Sequence, residues 1–124
     1  MQRKENLDKF NELLTEWDGS EALLEKQRPG DEHFTIGLFK KGCSLTSGEG
    51  VVGITLLYCG YISGPTRWCN CKLRCRKQIF QNKYWEPKEN IEGYELFDEE
   101  AGFSIHCYDN LRFGDGELYV LEPT

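Results

Sequence analysis

Residues 67–78 read RWCNCKLRCRKQ, and this short stretch holds three of the chain's six cysteines and five of its fifteen lysines and arginines. A metal knuckle, a disulfide knot, a loop with a reactive thiol and a strand with cysteine in its core would each use such residues differently. Alternation separates them. On a strand over 67–76, the two-residue period sends Cys69, Cys71, Leu73 and Cys75 to one side, and Trp68, Asn70, Lys72, Arg74 and Arg76 to the other. Cysteine is among the most buried residue types and packs as a small hydrophobe. The inner side is then a core row of reduced, metal-free cysteines, and the outer side a basic stripe headed by a tryptophan.

Working outward, strand periodicity extends in both directions. In HFTIGLFK (33–40), Phe34, Ile36 and Leu38 share one face, and His33, Thr35, Gly37 and Phe39 the other. VVGITLLYCGY (51–61) is β-branched and apolar and reads as one central strand. Ser63-Gly64-Pro65 is a turn. Further strands are expected over 67–76, 79–85, 93–97, 103–108 and 117–121, with turns at DEEAG (98–102) and FGDGE (113–117). The N-terminus has a different period. Leu7, Phe10, Leu14 and Trp17, with Leu13 beside them, recur at helical spacing opposite Glu5, Asp8, Lys9, Glu12 and Glu16. Asp18-Gly19 stops this helix, Ser20 can cap a second short helix through Ala22, Leu23 and Leu24, and Pro29-Gly30 ends it. Strands and helices do not alternate, which argues against a parallel βαβ sheet. The expected fold is α+β. An N-terminal helix or helix pair (1–30) packs on a mainly antiparallel, strongly curved or barrel-like sheet of five to seven strands (31–124), all within one domain of 124 residues.

Charge is unevenly distributed. The net charge is −6, yet residues 51–85 carry six basic groups and no acid, between an N-terminal part of net −3 and a C-terminal part of net −9. Either the basic band is neutralised by its acidic neighbours, or it forms an anion-binding face. Trp68, Phe80, Tyr84 and Trp85 interleave the band, as stacking residues do on single-stranded nucleic-acid platforms. No apolar run reaches the ~20 residues of a membrane span, so no membrane association is expected. The polar N-terminus lacks the apolar segment of a signal peptide, so the expected location is cytoplasmic or host-cell intracellular, where cysteines stay reduced.

Three chemistries compete for the distinctive residues. Zinc could take Cys59, Cys69, Cys71 and Cys75 (C-x9-C-x-C-x3-C), with His33, His106 and Cys107 available to complete a site. However, C-x-C is atypical of tetrahedral zinc knuckles, and sulfurs two apart on a strand splay widely. His33 preceding Asn70-Cys71 resembles the order of permuted papain-like hydrolases, which implies Cys71 as nucleophile and His33 as its base. A strand placement of Cys71 removes the helix that such a nucleophile uses. GEGVVG (48–53) matches a phosphate-cradling pattern, but a β-branched run follows it instead of a helix, so Gly48, Gly50 and Gly53 are read as turn and bulge residues. The Asp98-Glu99-Glu100 run is read as a solvated turn.

The leading expectation is a small non-enzymatic interaction protein, an accessory or inhibitor of the kind carried by phages, that binds a protein partner through charged faces. Its binding candidates are Arg67, Trp68, Lys72, Arg74, Arg76, Lys77 and Trp85. The alternatives are single-stranded nucleic-acid binding through band 67–85, and a cysteine–histidine hydrolase on Cys71 and His33. The apolar helix stripe is also available for a homo-oligomer.

Overall fold

The computed structural model describes residues 2–26, 33–40, 51–81, 90–108, 110–114 and 118–122. It is α+β, with one short helix and two largely antiparallel sheets. Within the stretch 1–30 expected to be helical, the chain opens instead with a short strand, β1 (Gln2–Lys4). Helix α1 (Leu7–Thr15) starts at Asn6, whose side-chain oxygen accepts the Lys9 N–H at 2.8 Å. Phe10, Leu13 and Leu14 are buried along one stripe, continued by Trp17 beyond the helix end. That stripe, left by the sequence to a sheet or to a second subunit, lies within the chain's own core.

The expected second helix is a strand. β2 (Glu21–Lys26) buries Ala22 and Leu24 in alternation and pairs antiparallel with all six residues of β3 (Phe34–Phe39). EALLEK has good helix formers, but six residues cannot meet the nucleation cost of an isolated helix, so sheet pairing prevails. Gly19, at φ +87°, turns the chain from α1 into this strand. Ser20, expected as a cap, is itself buried.

The expected central strand over 51–61 divides in two. β4 (Val51–Leu56) pairs with β3, whereas β5 (Cys59–Ser63) belongs to the other sheet. The corner is Tyr58, a non-glycine residue at φ +57°. Its N–H donates to His33 Nδ1 at 3.2 Å, and its ring meets the His33 ring edge-on at 4.9 Å. The cysteine-rich strand divides in the same way. β6 (Arg67–Trp68) is an edge of the first sheet and β7 (Arg74–Gln81) an edge of the second, with a bridge at 69–73 in which Asn70 takes φ +54°. Chain segments that change sheets at a sharp corner are how two-sheet folds turn.

β8 (Asn90–Asp98), β9 (Phe103–Cys107), β10 (Leu111–Gly114) and β11 (Leu118–Leu121) complete the fold. The first sheet has the order β1-β11-β10-β4-β3-β2-β6, antiparallel except for β1 with β11, and the second β5-β9-β8-β7. Among the described residues there are thus eleven strands rather than five to seven, in two sheets with separate edges and no closed barrel. β10 was not expected as a strand, and its last two residues, Phe113 and Gly114, are the first two of the expected turn FGDGE. The expected features at Pro29-Gly30, Gly48, Gly50 and 82–85 lie outside the described residues. A single core joins the helix to both sheets, with Phe10 and Trp17 edge-on to Phe113 at ring distances of 6.2 and 6.4 Å. No described helix is long and apolar enough to cross a membrane.

Candidate functional site

The bridge 69–73 is organised by Asp98 at the end of β8. Its Oδ2 accepts the Trp68 indole N–H at 2.9 Å and the Lys72 N–H at 2.8 Å, and its Oδ1 accepts the Ala101 N–H at 3.2 Å. Asp98 is only 1% exposed, so the expectation of a solvated turn fails at this residue, whereas Glu99 and Glu100 are exposed. A buried carboxylate persists where several donors replace its water. Backbone bonds from Cys71 N to Ser20 O and from Gly19 N to Cys71 O, both 2.9 Å, tie the bridge to the helix end.

The core row holds in part. Cys71, Leu73 and Cys75 are buried, but Cys69 is exposed, because the left-handed Asn70 interrupts the alternation. Burial raises the Cys71 thiol pKa to about 11 and pushes Cys75 up as well. A nucleophilic thiol needs the opposite shift and access to substrate, so Cys71 is placed as core. Of the proposed zinc set, Cys69 faces solvent, Cys71 and Cys75 lie in the core and Cys59 sits on β5. No group of three or more His, Cys, Asp or Glu among the described residues could hold a metal ion.

Each described cation of the band faces a carboxylate. Arg67 bonds Glu21, Lys72 Nζ reaches Glu100 at 3.1 Å, and Arg74 holds Asp18 through two 2.8 Å bonds. Arg76 Nε donates to Glu95 at 2.5 Å, and Lys77 Nζ lies 3.5 Å from Glu92. The hydrogen bonding of Arg74, as donor, to the Asp18 carboxylate is the main cause holding the Arg74 pKa above its ordinary value. Arg74 and Arg76 share the outer face of β7, Lys77 takes the opposite face, and Lys72 precedes the strand. Trp85 lies outside the described residues. A cleft of about 200 Å³ lined by Lys72, Arg74, Phe97, Asp98, Glu99 and Glu100 opens beside these pairs. It is smaller than the ~300 Å³ at which small-molecule pockets begin.

The outer face of the second sheet carries a network the sequence did not show. Glu95, 8% exposed, is its hub: Arg76 and Ser104 Oγ each donate at 2.5 Å, and His106 Nε2 lies 3.5 Å away. Burial alone would raise the Glu95 pKa, but the bonds from Ser104 and Arg76 outweigh it and hold the carboxyl below its usual range. Burial lowers the His106 pKa against the opposing pull of Glu95, so the imidazole is neutral near pH 7. The His106 ring stacks on Phe80 at 4.3 Å and leans on Tyr61 at 4.7 Å, and Phe80 continues to Tyr108 at 5.3 Å. Two glycines make room for this row. A Cβ at Gly93 would come within 3.0 Å of Phe80 and 2.4 Å of the Cys107 carbonyl, and one at Gly60 within 2.2 Å of the Tyr108 hydroxyl. The Arg76 guanidinium also lies over Phe97, 4.3 Å from its centroid.

Ser104 donates to Glu95 and not to His106, so serine, histidine and carboxylate do not form a nucleophile–base–orienter relay. The alternation of Ser104 with His106 and of Glu95 with Phe97 was legible, but the register that sets them opposite one another was not. No family model matches this chain, and no curated protein or solved structure is significantly similar to it.

Proposed function

We propose that this protein is a non-enzymatic interaction protein that docks on a basic surface of a protein partner. The distribution of ion pairs supports this reading. The described cations from Arg67 to Lys77 each face a carboxylate of their own chain. Asp8, Glu16, Glu25 and Glu99 are exposed and make no ion pair with a described residue. These five cations are spent internally, whereas those four carboxylates stay exposed on a chain of net charge −6. Such a surface repels polyanions and steers a basic partner into contact. An accessory or inhibitor role inside a cell, of the kind served by proteins of phages and other mobile elements, is the form of this reading that the size and acidity of the chain favour.

A second reading, single-stranded nucleic-acid binding, draws on the open face that carries Arg76, Phe80, His106 and Tyr61 together. One pair of measurements separates them. Fluorescence anisotropy with a labelled single-stranded oligonucleotide at low and physiological salt should show no sub-micromolar binding. Affinity capture should retain a basic protein on the wild type and lose it when Asp8, Glu16, Glu25 and Glu99 are changed to their amides. Sub-micromolar oligonucleotide binding at physiological salt, reduced by Phe80→Ala, would overturn the first reading in favour of the second.

A further inference from the structure

Cys59 on the edge strand β5 and Cys107 at the end of β9 are direct partners in the antiparallel register. The Tyr108 N–H donates to Tyr58 O at 3.0 Å, one of the two bonds of a hydrogen-bonded 58–108 pair, while the Tyr58 N–H turns to His33 instead. The next pair along, 59 with 107, is then of the non-hydrogen-bonded kind, in which Cα atoms approach to about 4.5 Å and side chains lie closest. That separation falls within the window of roughly 4.4–6.8 Å that a disulfide spans. The two sulfurs also point to neighbouring groups: Cys59 Sγ lies 3.7 Å from Leu56 O, and Cys107 Sγ lies 2.9 Å from Leu57 O. Both residues carry thiols in this structure. Cys75 cannot substitute for either, because β8 lies between β7 and β9, and two strand spacings amount to about 9–10 Å.

We propose that Cys59 and Cys107 are an oxidation site for low-molecular-weight disulfides, closing reversibly to a cross-strand disulfide. Cys59, half-buried on an edge strand, is the point of attack, and fully buried Cys107 is the resolving thiol. The Cys59 thiolate attacks one sulfur of glutathione disulfide. A Cys59–glutathione bond forms, the glutathione S–S bond breaks and one glutathione thiolate leaves. Cys107 then gives its proton to solvent and attacks Cys59 Sγ. The protein disulfide forms and the second glutathione leaves, so two protein thiols are oxidised and one glutathione disulfide is reduced. In a reducing compartment the pair rests as thiols and closes only under oxidative load. Closure pins β5 beside the register shift between Cys59 and Tyr61 and ties off the long loop from 60 to 106. The site is independent of the docking surface proposed above.

The test uses the full wild-type chain, reduced and then incubated under native conditions with excess glutathione disulfide, alkylated, digested and mapped by mass spectrometry. A peptide linking Cys59 to Cys107, two hydrogens lighter than its parts, is expected. The melting temperature should rise by about 5 °C or more and return on reduction. In Cys107→Ser, Cys59 should stop at the mixed disulfide with glutathione. Wild-type protein in which Cys59 keeps its glutathione, or in which Cys107 remains alkylatable after unfolding while exposed Cys69 is oxidised, overturns the proposal. The wild-type map decides the matter even if the variant fails to fold.

Discussion

The carboxamide of Asn11 pairs with the backbone of Cys75 in both directions: Nδ2 donates to Cys75 O, and Oδ1 accepts the Cys75 N–H, each at 2.8 Å. A helix side chain thus makes the two bonds a neighbouring strand would make, at the point where β7 is the edge of its sheet. Exposed edges invite pairing with other chains, and covering them is a recurrent remedy. Asn11→Ala leaves a part-buried donor and acceptor without these partners and should cost about 1–3 kcal/mol in urea denaturation. Asn11→Asp sets a carboxylate against the Cys75 carbonyl and should cost at least as much. An unchanged midpoint in both variants would show that the amide pairing contributes nothing.

Asp98 gathers three N–H groups, from Trp68, Lys72 and Ala101. Asp98→Ala should destabilise by roughly 3 kcal/mol, since hydrogen bonds to a buried charge are among the stronger ones. Native tryptophan fluorescence should shift as the Trp68 indole, packed on Phe103 at 4.5 Å, loses its acceptor. Retention of wild-type emission and stability would rule out Asp98 as the organiser of the 69–73 bridge.

Stability should fall at both ends of the pH scale for separate reasons. The lowered His106 pKa means that the unfolded chain takes up its proton first on acidification, so stability present above about pH 6.5 is lost below it. The lowered Glu95 pKa adds a further loss at more acid pH. In alkali the sign reverses. With the Cys71 pKa raised from 9.0 to about 11, the unfolded thiol ionises first, and stability present below pH 9 is lost as pH rises toward 11. The Cys71 contribution is on the order of 2–3 kcal/mol. Denaturation midpoints from pH 4 to 11 should trace this dome, with a smaller alkaline loss in Cys71→Ala and a smaller loss near pH 6 in His106→Gln.

Two strand glycines should respond in opposite ways to alanine. At Gly93 the added carbon would meet the Cys107 carbonyl at 2.4 Å, whereas at Gly53 its nearest neighbour would be a Thr35 methyl at 3.8 Å. Gly93→Ala should destabilise by about 1–3 kcal/mol through overpacking. Gly53→Ala should be neutral or stabilising by up to about 1 kcal/mol, because the unfolded chain loses freedom. Thermal melts compare the two directly, and equal effects would show that ring packing over Gly93 is unimportant.

What the sequence determined by itself was local and periodic. Phe10, Leu14 and Trp17 form one stripe, Ile36 and Leu38 one strand face, and Cys71, Leu73 and Cys75 one core row, because spacing along a helix or strand dictates which side chains share a side. What only tertiary structure decided was partnership. Glu21–Lys26 became a strand because β3 and β6 flank it. The 51–61 and 67–76 stretches broke at Tyr58 and Asn70 because a core shared by two sheets requires the chain to cross between them. Asp98 left the solvent because three N–H groups from separate segments converge there, and Glu95, His106, Phe80 and Tyr61 met because β7, β8, β9 and β5 lie side by side. Those contacts join residues tens of positions apart, and their register is set by how the whole core packs, which no local periodicity contains.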